Sequence, residues 1–154
     1  LKAEMDSVTM YESAASGTDD TEVKNFFLSR AEEEKNHYNS LLDYYKGITE
    51  DNDTSGILAQ LKTIPRNTPS IFSDEFKKRI AENQALFSAI SVAILLEKNA
   101  IDFYRNAAEK FDDSEMKEFF QMMTLWEEYH YTEVNNIMKE AEEYYWEINQ
   151  FAPF

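Results

Sequence analysis

With 30 acidic against 15 basic side chains among 154 residues and a formal charge of −15, the chain is poorly suited to nucleic acid or anionic membranes and attracts cations. Three glycines and three prolines are too few for a strand-and-turn protein, whereas plentiful Glu, Lys, Leu, Ala and Met favour long helices in one all-α domain over residues 1–154. The absence of cysteine excludes disulfides, thiolate zinc sites, iron–sulfur clusters and cysteine nucleophiles, and no apolar run reaches the roughly 18 residues of a membrane span.

No signal peptide is visible from Leu1 onward, and the default expectation is a cytoplasmic protein, with room left for residues upstream because the chain does not open on Met. The first helix is expected from about Leu1 to Ser16, stopping near Gly17. In "TDDTEV", Asp19 or Asp20 caps the next helix, and Glu22 stands three residues after Asp19 in capping-box spacing. That second helix spans about Thr21 to Tyr45 and ends on Gly47 as a C-cap. Residues 47 to 73 hold two of the three glycines and two of the three prolines, which reads as a long connection with a short helix around Ile57 to Lys62. Ser73 is placed to cap a short helix over Asp74 to Ile80. A long third helix follows from about Asn83 to Lys110, "DDSEM" repeats the earlier cap, and a fourth helix runs from about Ser114 to Tyr145. The tail "INQFAPF" reads as irregular around Pro153.

The chain repeats itself. Displaced by 93 residues, Glu4 to His37 falls on Glu97 to His130 without a gap, and 12 of the 34 positions are identical, against about two or three expected by chance. The alanine pair, the Phe-Phe pair and the Asp caps are what two related helical hairpins keep for packing and termination. Two such hairpins joined by the long connection make a four-helix bundle with a pseudo-two-fold axis.

The remaining matches carry chemistry. Both histidines of the chain stand three residues after a glutamate, His37 after Glu34 and His130 after Glu127, so each pair shares one helix face. Glu34 falls on an apolar stripe with Phe27, Ala31 and Leu41. Glu97 falls on another with Ile90, Ala93, Ala100, Ile101 and Tyr104. A carboxylate in an apolar seam is costly unless paired or bound to metal, and four of them could not all stay ionised without cations. Glu4, Glu34, His37, Glu97, Glu127 and His130 are together the ligand set of a carboxylate-bridged dimetal site in a bundle core. The other reading is a buried Glu–His hydrogen-bonded network without metal.

"LEKNAIDFYRNAAEKFDDSEMKEFFQMMTLWEEYHY" resembles the rubrerythrin-like branch of the ferritin-like superfamily, and "TMYESAASGTDDTEVKNFFLSRAEEEKNHY" is similar to its first half. The resemblance implies a ferritin-like up-down-down-up bundle with a long crossover, binding two irons. It makes Glu34 and Glu127 the bridging ligands and Glu4 and Glu97 the terminal ones, with one histidine on each ion. The chain departs from rubrerythrins proper in having no four-cysteine rubredoxin site. It also has Ala100 where they carry an additional glutamate, three residues after the third-helix ligand, and the equivalent position of the first repeat is Ser7. Tyr11 and Tyr104 each lie seven residues after a terminal glutamate, which suits a donor that holds a ligand carboxylate, a redox-active phenol, or a core tyrosine.

Three functions are compatible with these features. The first is a non-haem di-iron oxidoreductase that reduces peroxide or oxygen with electrons from an external donor such as a rubredoxin-like protein. The second handles iron, with Fe(II) as substrate, and the third is a structural bundle stapled by metal. Iron or manganese suits the oxygen-rich set. Trp126, Tyr129, Tyr131, Tyr144, Tyr145, Trp146, Phe151 and Phe154 are read as packing or interface residues. Leu1 aligns with Ile94, deep in the third helix, so Leu86, Phe87, Ile90, Val92 and Ala93 lack a first-repeat partner and predict at least a homodimer, unless residues upstream complete the first helix.

Overall fold

The computed structural model describes residues 1–50, 54–62 and 72–149. They form six helices: α1 (Lys2–Ser16), α2 (Thr21–Thr49), α3 (Ser55–Lys62), α4 (Asp74–Glu82), α5 (Gln84–Lys110) and α6 (Ser114–Asn149). The tail with Phe151, Pro153 and Phe154 lies outside the described residues, as do Pro65 and Pro69 of the crossover.

Local chemistry sets most boundaries. The Gly17 N–H donates to the carbonyls of Ser13 and Ala14, both at 3.1 Å, and closes α1. Asp20 caps α2, accepting the Val23 N–H at 3.0 Å. Glu22 does not complete the expected capping box. Its carboxylate accepts instead from the Ser73 backbone N–H at 3.1 Å and from the Ser73 hydroxyl. Ser73 meanwhile accepts the Phe76 N–H at 3.0 Å as the cap of α4, so one residue pins the starts of two helices together.

Two helices run past their expected ends. Gly47 was placed as the C-cap of α2, but the helix continues to Thr49 and is capped by Glu50. Gly47 is buried where the chain returns against it, and a Cβ there would lie 2.5 Å from Thr54 Cγ2. Its glycine serves close approach rather than termination. α6 continues through Tyr145 to Asn149.

α1 packs on α2 and α5 on α6, the two hairpins of the repeat, and α1 meets α5 across the bundle. Tyr11 reaches Glu97 while Tyr104 reaches Glu4, so α1 and α5 run in opposite directions. His37 faces Glu127 while His130 faces Glu34, which sets α2 against α6 in the same way. The result is the up-down-down-up order of a ferritin-like bundle.

The core divides into two apolar clusters with a polar layer between them. One contains Phe27, Leu86, Ile90, Val134 and Ile137 and is completed by Phe76 and Ile80 of α4. The other contains Tyr44, Phe119, Met123 and Trp126 and is completed by Leu58 and Leu61 of α3. Each short helix of the crossover thus closes one end of the bundle. This corrects the expectation of an open face on α5. α4 packs on α5 and α6, and its Phe76 and Ile80 share one buried cluster with Leu86, Ile90 and Ala93 of α5. A homodimer was expected from that apolar face, of which α4 covers Leu86, Ile90 and Ala93. Val92, on the other side of α5, is exposed. Among the described residues no helix is long and apolar enough to cross a membrane.

Candidate metal centre

All six residues singled out in the sequence meet in the polar layer, and each is at most 4 % exposed. α1 contributes Glu4, α2 contributes Glu34 and His37, α5 contributes Glu97, and α6 contributes Glu127 and His130. His37 Nδ1 lies 3.0 Å from Glu127 Oε1, 3.5 Å from Glu34 Oε2 and 3.6 Å from Glu4 Oε2. His130 Nδ1 repeats this with the exchanged partners, 3.0 Å from Glu34 Oε1, 3.9 Å from Glu97 Oε2 and 4.0 Å from Glu127 Oε2. Glu34 and Glu127 therefore face both histidines, while Glu4 and Glu97 each face one. The two imidazole rings stack at 4.9 Å between centroids, 13° from parallel.

Tyr11 and Tyr104 do hold carboxylates, but not those on their own helices. The Tyr11 hydroxyl donates to Glu97 Oε1 at 2.6 Å, and the Tyr104 hydroxyl donates to Glu4. Each repeat steadies the other's outer glutamate. Burial, reinforced by the facing carboxylates, pushes both phenols well above their usual range, so they stay protonated as donors.

The electrostatics are those of a site short of positive charge. Burial, then the charge of Glu34, pushes Glu97 well above the usual carboxylate range, and burial raises Glu127 although His37 opposes it. Burial would discharge both histidines, yet the carboxylates around them win and raise both. Burial also opposes the charge on Glu34, which the two histidines nevertheless hold far below its usual range. Without a cation, the cluster takes up protons in its place.

The residues fit a metal. The ligand atoms of Glu34, His37, Glu127 and His130 all lie within 4.8 Å of one another. His37 Nδ1 and Glu127 Oε1 are buried with no hydrogen bond of their own, although they stand close together. Nitrogens of Arg30 and Trp126 beside the cluster also lack a hydrogen bond, but these two atoms are a nitrogen and an oxygen aimed into the carboxylate cage itself. Ala100 and Ser7 add no seventh carboxylate.

Sequence reading missed three side chains beside the cluster. Glu33 Oε2 lies 2.8 Å from His130 Nε2. Arg30 donates a hydrogen bond to Glu33 at 2.5 Å and forms an ion pair with Glu133 at 2.9 Å. The available signal was Arg30, which lies three residues after Phe27 and four before Glu34 and so falls on the buried face of α2. Trp126 was read as packing, and it packs against the site itself, stacked on His37.

Two hairpins that bring Glu-x-x-His turns and two further glutamates into a bundle core define a ferritin-like protein with a buried carboxylate–histidine cluster able to hold metal. The profile of the Rubrerythrin family matches residues 1–138, and the chain belongs to that family. No curated protein and no solved structure matches it.

Proposed function

We propose that the chain is a non-haem di-iron oxidoreductase that reduces peroxide or oxygen at a centre held by Glu4, Glu34, His37, Glu97, Glu127 and His130. The observation that supports this is the meeting of four buried carboxylates and two imidazole Nδ1 atoms in one layer. Glu4 and His37 would serve one ion, Glu97 and His130 the other, and Glu34 and Glu127 would face both. Manganese is the alternative occupant of so hard a ligand set. Bound Fe(II) supplies one electron per ion, and two electrons with two protons take a peroxide to two waters.

The chain's own residues account for the rest. The carboxylates balance the cation charge in a layer sealed by apolar side chains on both sides. Tyr11 and Tyr104 keep Glu97 and Glu4 aimed inward, and the stacked Trp126 holds the plane of His37. Electrons to restore the reduced state would come from a redox donor such as a rubredoxin-like protein. The deciding experiment is elemental analysis of protein purified without added metal, followed by peroxide turnover of the Fe(II)-loaded chain with an added reductant. Two ions per chain and turnover above a free-iron control are expected. Uptake of many irons per chain would replace this reading with iron handling, and two ions without turnover would replace it with iron handling or a bundle stapled by metal.

A further inference from the structure

The two repeats supply the same ligands but not the same surroundings for the two histidines. Beyond the nitrogen that faces the cluster, His130 presents Nε2 to Glu33 Oε2 at 2.8 Å. Glu33 is fixed in turn through its other oxygen, which Arg30 holds at 2.5 Å. Arg30 is buried and also reaches Glu133 at 2.9 Å. None of this survives the repeat. At a displacement of 93 residues Glu33 corresponds to Trp126, Arg30 to Met123, and Glu133 to Ser40. Among the described residues His37 therefore has no such chain behind it. It lies flat against Trp126, with centroids 4.6 Å apart and rings 12° from parallel. Its carboxylate contacts among the described residues all run through Nδ1.

The difference has a chemical consequence. An imidazole that donates one ring N–H to a carboxylate is locked in the tautomer whose other nitrogen keeps its lone pair for a metal, and that nitrogen becomes more basic. A stacked indole fixes the plane of the ring and keeps water away, but it accepts no proton from the ring edge. Arg30 draws on Glu33 Oε1 and leaves Oε2 to His130, so it orients the carboxylate without taking its place.

We propose that Glu33 is a positioning residue that makes the ion position served by His130 the tighter of the two, filled first and emptied last. The position served by His37, walled by Trp126, is then the exchangeable one. This rests on the two-ion reading above. Loss of a carboxylate behind a metal-bound histidine weakens binding by about 10–100-fold, which sets the expected separation between the two steps.

The test is anaerobic calorimetric titration of the metal-free chain with Fe(II), repeated with Co(II) and followed by its visible absorption. Wild type should bind in two resolved steps. Glu33→Ala should weaken the first step by about 10–100-fold and leave the second within about two-fold. Glu33→Gln, which keeps an acceptor and loses the charge, should fall between. Trp126→Phe should leave the first step unchanged. Equal melting temperatures of the metal-free proteins would show that the variants fold alike. A wild-type chain that takes up no metal overturns the centre and this asymmetry with it. Two ions bound in wild type, with either no change in the Glu33 variants or equal weakening of both steps, overturns the asymmetry alone and leaves the centre standing.

Discussion

Glu34 shows most directly how one side chain can serve two partners. It faces both histidines, at 3.5 Å and 3.0 Å, so on the proposed two-ion reading Glu34→Ala should abolish binding of both ions rather than one, as metal analysis after gel filtration would show. Full occupancy of either position in that variant would overturn its shared role. Tyr104→Phe removes the donor that steadies Glu4, and the affinity of the ion beside His37 should fall by about 10–100-fold in an Fe(II) titration. The protonation pattern predicts a pH dependence for the metal-free chain. Glu97 and Glu127 are raised above the usual 4.5, and His37 and His130 above the usual 6.5. The folded state then binds more protons than the unfolded one, so stability falls as pH rises through the raised values. Glu34, held low, works in the opposite sense only below its usual 4.5. Metal-free protein should therefore melt at a higher temperature near about pH 6 than near about pH 9, whereas metal, which needs deprotonated ligands, should add more stability as pH rises. A metal-free melting temperature that climbs with pH over that range would contradict the assignment.

Among the elements, the end of α2 is where sequence and structure part. A glycine near a helix end reads as a terminator, yet Gly47 lies inside the helix because Thr54 comes back across it. Gly47→Ala gains up to about 1 kcal/mol of helix propensity but drives a methyl group into a short, branched side chain, a clash that costs about 1–3 kcal/mol. The net expectation is a melting temperature lower by a few degrees in calorimetry, and a rise would mean that Thr54 yields freely. The pairing of Glu22 with Ser73 is a second case. Spacing within one helix suggests a capping box, but the carboxylate is used to join α2 to α4.

On the scale of the whole molecule, the two short crossover helices close the two apolar clusters that flank the centre. Phe76 and Ile80 are buried against the first apolar cluster, so Phe76→Ala should cost about 3–5 kcal/mol. At about 2–4 °C per kcal/mol for a chain of this size, thermal unfolding should shift by roughly 6–20 °C. The ion pair and hydrogen bonds of the centre lie on the other side of that cluster, and Fe(II) stoichiometry at low temperature should stay unchanged in the same variant. A normal melting curve for Phe76→Ala would show that α4 is not what seals the α5 face.

Periodicity, the 93-residue repeat and the Glu-x-x-His turns by themselves determined the four long helices, their pairing into hairpins and the identity of the six converging residues. These follow from spacing along single helices, where a side chain's face is set by its position in the turn. Tertiary structure decided what depends on which helix faces which. Tyr11 and Tyr104 hold the opposite repeat's glutamates because antiparallel neighbours place position 11 beside 97 and position 104 beside 4. The cover of α5 came from α4 because a crossover helix folds back over the exposed end, and no local pattern encodes that return. Glu33 and Trp126 became unlike supports of two like histidines for the same reason: their partners lie on the other hairpin, across the bundle and about a hundred residues away in the chain.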